Sequence, residues 1–137
     1  MIRAILPYLH FAGNAGEAIE HYQKALGAEV VTRMHWRDMP DHDAAKTMGD
    51  QIMHATLTIG DASIMLCDLP AEMMAGGGRM TVMVQCDAPS DVDRFFDALV
   101  EGGKVMMPVA DTFWGARFGH CVDRFGIGWQ FNCQLNG

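Results

Sequence analysis

The chain has 137 residues, half of them apolar, and a formal charge of −7 with no cluster of lysine or arginine. That is room for one compact domain with a sizeable core, and it argues against a nucleic-acid partner that reads a phosphate backbone. The longest apolar runs are broken by charges well short of a membrane span, so no membrane partner is expected, and the Met1–Pro7 start lacks a signal-peptide core, so a cytoplasmic location is expected.

In chain order, Ile2–Leu9 reads as a strand closed by Phe11-Ala-Gly-Asn14. Asn14 with Glu17 three residues later is a capping-box start. The helix that follows places Ala15, Ala18, Ile19, Tyr22 and Leu26 on one stripe and stops at Gly27. Ala28–Trp36 is a strand and Arg37–Gly49 a polar loop or lid. Ile52–Ile59 and Ala62–Cys67 form a hairpin around Gly60-Asp61. Residues 69–79, with Gly76-Gly-Gly78, read as a linker, because no P-loop lysine accompanies the glycines.

The order then repeats. Met80–Cys86 is a strand, and Asp87 or Ser90 with Pro89 opens a helix carrying Val92, Phe95, Phe96 and Leu99. Lys104–Val109, Arg117–Val122 and Gly128–Leu135 are the closing strands. Ile19, Tyr22 and Leu26 match Val92, Phe95 and Leu99 at a constant offset of 73 residues, which marks an internal duplication. The expected fold is α+β: module 1–68, linker 69–79 and module 80–137, each βαβββ. The four cysteines, Cys67, Cys86, Cys121 and Cys133, lack Cys-x-x-Cys spacing and read as small buried hydrophobes.

Four stretches carry a family likeness: Pro7-Tyr-Leu-His-Phe-Ala-Gly-Asn14 running on to Tyr22, Leu26-Gly-Ala-Glu29, Ile64-Met-Leu-Cys-Asp68, and Thr112-Phe-Trp-Gly115 with Asp123-Arg-Phe-Gly126 and Trp129. With these the chain resembles the vicinal oxygen chelate superfamily, the glyoxalase and bleomycin-resistance fold, and within it the PhnB-like branch. The resemblance implies paired modules whose curled mixed sheets wall a cup, in a homodimer. It also implies metal ligands on the first and last strands of each module. Aligned without gaps, those positions are Pro7, Met65, Thr81 and Gln130. Of these only Gln130 is expected to bind a divalent cation, and weakly, as a neutral oxygen donor, while Met prefers soft ions. No cofactor is therefore expected, the family-type metal site being lost.

If residue 7 faces the cup, so do Ile5 and Leu9, and hairpin pairing adds His54, Thr56 and Thr58 to the face of Met65. Such a lining of hydroxyls, amides and imidazole among Met and Cys suits a small organic metabolite. His54 is the candidate general base; a histidine hydrogen-bonded to a Thr hydroxyl is the structural alternative. Trp36 and Trp114 are candidate aromatic walls and Arg117 a candidate anion clamp, with core packing and carboxylate pairing as their alternatives. His35 and His42 with Asp38, Asp41 and Asp43 crowd one loop that could hold a displaced metal.

The function expected is thus metal-independent small-molecule binding. The alternatives are a metal-dependent lyase, isomerase or dioxygenase with a displaced site, and metal-free acid–base catalysis at His54.

Overall fold

The computed structural model describes residues 1, 3–39, 47–73 and 80–135. The chain divides into two compact units, Met1–Ala75 and Gly76–Gly137. The first is built from β1 (Tyr8–Phe11), α1 (Ala15–Leu26), β2 (Glu29–His35), β3 (Ile52–Ile59) and β4 (Ala62–Asp68). Its sheet runs β1-β4-β3-β2, with β1 parallel to β4 and the other pairs antiparallel. The second unit repeats the plan with β5 (Val82–Gln85), α2 (Pro89–Leu99), β6 (Lys104–Asp111), β7 (Ala116–Val122) and β8 (Gly128–Gln134). Its order, β5-β8-β7-β6, again has one parallel pair at the β5 edge. The α+β architecture of two βαβββ modules is therefore present, each as a four-stranded open mixed sheet. Gly76-Gly-Gly78 lies outside the described residues, and Ala71–Met73 ahead of it forms one turn of 3-10 helix.

Each sheet buries one face under its own helix. In the first unit Ile19, Tyr22 and Leu26 of α1 are buried, as are Leu57 of β3 and Ile64 and Leu66 of β4. These residues alternate along their strands, so one face of the pleat is apolar throughout. In the second unit Val92, Phe96 and Leu99 are buried, along with Trp129 and Phe131 of β8. Phe95 stays half-exposed beneath the Arg94 guanidinium, 4.4 Å from its ring centroid. The buried aromatic of α2 is thus Phe96 rather than the residue that matches Tyr22 in sequence.

Two expectations from sequence are corrected. Asn14 makes no side-chain capping bond. The start of α1 is instead capped from the far end of the module by Asp68, whose Oδ1 accepts the N–H groups of Gly13 (2.9 Å) and Ala15 (3.0 Å). A charged acceptor at the positive end of a helix outcompetes a local amide, and tertiary folding delivers it there. The stop at Gly27 is as expected, its φ of 70° being a left-handed conformation that glycine adopts without strain.

The other correction concerns the first strand, which begins at Tyr8 rather than Ile2. Tyr8 pairs with Met65 and His10 with Cys67, while Leu9 pairs with the buried Leu66. Paired residues share a face, so Tyr8 and His10 accompany Met65, and Leu9 lies under α1. Pro7 is thus one residue out of register with the Met65 face, and a slip of one flips every side chain.

Candidate functional site

The face of the first sheet opposite α1 is assembled by strand register. The turn at Gly60, with φ of 60°, sets Thr56 opposite Met65 and Thr58 opposite Ser63. Parallel addition of β1 then brings Tyr8 beside Met65 and His10 beside Cys67. His54 shares the Thr56 face by strand alternation.

These side chains are hydrogen-bonded to one another. Tyr8 Oη lies 3.1 Å from His54 Nδ1, and His54 Nε2 lies 3.1 Å from Thr56 Oγ1. Tyr8 also makes edge-on ring contacts with His10 (5.0 Å) and His54 (5.8 Å). Both nitrogens of His54 are therefore engaged by hydroxyls, and its partner is a phenol that sequence reasoning missed. The signal was present: in Tyr8-Leu-His-Phe11 the apolar Leu9 and Phe11 claim the helix side, leaving Tyr8 and His10 for the other.

Desolvation, followed by the charge and hydrogen bond of the neighbouring Cys67, pushes the Tyr8 phenol up to about 12. Burial likewise pushes the Cys67 thiol up, against the lowering influence of Tyr8. Both groups are neutral near pH 7. A folded-state value raised above the unfolded one favours folding below pH ~10 and loses that contribution as pH rises through about 12. The wild-type minus Tyr8→Phe difference in phenolate absorbance should accordingly stay flat through pH ~10 and rise only near about 12. A difference rising with a midpoint at the free-tyrosine value would contradict this upward shift.

The remaining residues singled out from sequence take varied places. Pro7 precedes β1, although its carbonyl accepts the Met65 N–H at 3.0 Å. Thr81 precedes β5 and lies over Gly128, whose missing side chain leaves room for the Thr81 methyl. Gln130 pairs with Met83 on β5 and with His120 on β7. The same register pairs Asn132 with Gln85, and Asn132 Nδ2 donates to Gln85 Oε1 at 2.9 Å.

Trp114 sits in the turn between β6 and β7, half-exposed, stacked edge-on between Phe113 (5.0 Å) and Phe118 (5.9 Å). Trp36 donates its indole N–H to the Asp68 carbonyl at 3.2 Å, which makes it part of the brace around that aspartate.

Arg117 is not set up as an anion clamp. It lies in register with the buried Cys133, on the helix side of its sheet. Its Nε and Nη2 bond Asp93 of α2 at 2.7 and 2.8 Å, and Nη1 bonds Asp111 at 3.0 Å. The bidentate pair holds Asp93 below the usual carboxylate range and ties α2 to its sheet.

The family-type metal positions can be tested by their donor chemistry. Pro7 and Met65 have no hard donor, Thr81 has a neutral hydroxyl, and Gln130 has one amide oxygen. Replacing Pro7 by the β1 residue that does share the Met65 face adds only a protonated phenol. This set does not fit a hard divalent cation. On the polar loop, His35 and Asp38 form a local turn, the His35 N–H donating to Asp38 Oδ2 at 3.1 Å. His42, Asp41 and Asp43 lie outside the described residues. Among the described residues no group of three or more His, Cys, Asp or Glu side chains is placed to hold a metal ion.

A separate groove of about 380 Å³ lies by the start of α1, lined in part by Glu17, Glu20, Arg33, His35 and Asp50. It does not include Tyr8 or His54. Its one buried acid, Asp68, already accepts three backbone N–H groups. The hydrogen-bonded face of β1, β3 and β4 is the stronger candidate, because several uncharged donors and acceptors converge there.

The described residues contain no helix long and apolar enough to cross a membrane. The family model of the glyoxalase/bleomycin resistance protein/dioxygenase superfamily matches residues 4–131. Protein YjdN of Escherichia coli (strain K12) is 35% identical over 135 residues, spanning 92% of each chain. Protein PA1353 of Pseudomonas aeruginosa is 36% identical, with a TM-score of 0.86 over 98% of this chain and 100% of that one. A PhnB protein of Bacillus cereus, 24% identical, shares the fold with a TM-score of 0.80 over 96% of this chain and 99% of its own. A duplicated βαβββ unit, a family match across nearly its whole length and relatives of this similarity lead to one conclusion: the chain belongs to the glyoxalase/bleomycin resistance protein/dioxygenase superfamily.

Proposed function

We propose that this protein is a cytoplasmic, metal-independent binder of a small, partly polar organic molecule, acting as a homodimer. The observation that carries the reading is the Tyr8–His54–Thr56 chain on the helix-free face of the first sheet. Hydroxyl and imidazole groups lie there beside Met65 and Cys67, and the charged residue in register with this face, Glu29 opposite Thr58, stands at the far edge strand β2. Such a surface orients an uncharged or singly polar molecule by hydrogen bonds while apolar sulfur side chains cover its skeleton. A dimer is supported by the second sheet, whose edge strand β6 exposes Val105, Met106 and Met107, all near 46%. An apolar edge of that kind is normally covered.

The first test is metal content of the purified protein, followed by thermal melting with Ni, Zn, Mn or Fe(II), with chelator, and with a metabolite panel. Sub-stoichiometric metal, no shift with any cation and a rise with selected metabolites are expected. Near-stoichiometric metal, or a cation-dependent rise reversed by chelator, would return the chain to the chelate enzymes.

Metal-free acid–base catalysis is the second reading, favoured by the histidine at the centre of the chain. It requires His54→Gln to abolish turnover of a bound metabolite while leaving its affinity near that of wild type.

A further inference from the structure

Hydrogen counting along the Tyr8–His54–Thr56 chain shows what it can offer a ligand. A neutral imidazole carries one N–H and each hydroxyl one O–H, while the chain contains two internal hydrogen bonds. One hydrogen is therefore always left over, and it resides on one of the two end hydroxyls. If Tyr8 donates to Nδ1, then Nε2–H donates to Thr56 and the Thr56 hydrogen is spare. If Thr56 donates to Nε2, then Nδ1–H donates to Tyr8 and the phenol hydrogen is spare. The His54 tautomer alone selects between these states.

The two ends are not equivalent. A phenol is the stronger donor, so without ligand Tyr8 donates inward to Nδ1. Tyr8 is also the more open end, 40% exposed at the edge strand of its sheet. Its other neighbour, the Cys67 sulfur, is only a weak acceptor. An incoming ligand oxygen is a better acceptor than that sulfur and can draw the phenol hydrogen outward.

We propose that Tyr8 is the ligand-contacting donor of this face, recognising a carbonyl or phenolate oxygen, and that His54 positions it by moving its ring proton from Nε2 to Nδ1 on binding. The inference rests on the small-molecule reading above and assigns its ligand class. It also reverses the roles expected from sequence: His54, with both nitrogens engaged by hydroxyls of the protein, acts on the ligand through Tyr8. The change is a proton relay along the chain: Tyr8 passes its hydrogen to Nδ1 and takes one from solvent water, while Nε2 passes its hydrogen to Thr56 Oγ1, which releases its spare hydrogen to solvent water. One N–H bond thus forms as another breaks, and the proton count of the chain is unchanged.

The test uses full-length protein and 4-nitrophenolate, whose visible absorbance responds to hydrogen bonding at its oxygen. Saturable spectral change is expected with wild type, at least tenfold weaker in Tyr8→Phe, a substitution that removes one oxygen and retains the ring. In parallel, nitrogen-15 spectra of His54 in wild type should show the protonated ring nitrogen change from Nε2 to Nδ1 as probe is added. This second readout does not depend on any variant folding, and a merely structural histidine would not produce it. Equal affinity in Tyr8→Phe, or a His54 tautomer unchanged at saturation, overturns the proposal and leaves small-molecule binding intact. No saturable change with wild type overturns the ligand class, while metabolites detected by melting would still stand as ligands of another class.

Discussion

Replacing Asp68 with alanine should destabilise the protein by about 4 kcal/mol or more, enough to leave a domain of ordinary stability partly unfolded. Asp68 is 1% exposed and accepts three backbone N–H groups, from Gly13 and Ala15 on Oδ1 and from Ile52 on Oδ2 at 2.9 Å. Each bond to a charged acceptor is worth about 1.5–3 kcal/mol, and a donor left buried without a partner carries its desolvation cost. The three donors belong to the start of α1 and the start of β3, so one carboxylate joins three elements of the module. Asp68→Asn should cost less, because its amide keeps one acceptor oxygen while turning an NH2 toward a donor. Urea unfolding checks both: lower midpoints at unchanged slope, alanine below asparagine below wild type. A loss under about 1 kcal/mol for alanine would mean that water replaces the carboxylate at these donors.

Trp129→Ala should be of similar size, about 4 kcal/mol, by a different mechanism. Trp129 is 1% exposed at the centre of the second module, and its indole N–H donates to Asp123 Oδ2 at 2.9 Å. The other oxygen of Asp123 accepts the N–H groups of Phe125 and Ile127, closing the turn into β8. Truncation therefore empties a large core position and removes one donor from a buried carboxylate. Trp129→Phe separates the two effects. It retains most of the apolar volume and loses the donor, so about 2 kcal/mol is expected. If phenylalanine proved as harmful as alanine, the hydrogen bond to Asp123 would outweigh the packing.

The two aspartates close their modules in contrasting ways. Asp123 acts locally, on residues two to six positions ahead, and Asp123-Arg-Phe-Gly126 is recognisable in sequence as a turn. Asp68 acts on residues 53 and 55 positions earlier, and nothing near it in sequence announces those partners. Asn14 with Glu17 offered a plausible local cap, and the long-range carboxylate took its place.

Element order, the duplication and the helix-packed faces of β4 and β8 were legible in the residues alone. Strand alternation and helical periodicity are local, so Ile64 and Leu66, or Trp129 and Phe131, declare their side without knowledge of a partner. The β3–β4 register was legible too, because a two-residue turn leaves only one pairing. Family membership was likewise readable, being carried by contiguous residues. The rest came from contacts between distant elements. Tyr8 joined His54 through parallel pairing of β1 with β4, two strands separated in the chain by a helix and two further strands. Arg117 was drawn to Asp93 by a helix packing on its sheet. Contacts of this kind depend on register and on elements distant in sequence, where a shift of one residue reverses which side chains meet, and local patterns carry no record of that choice.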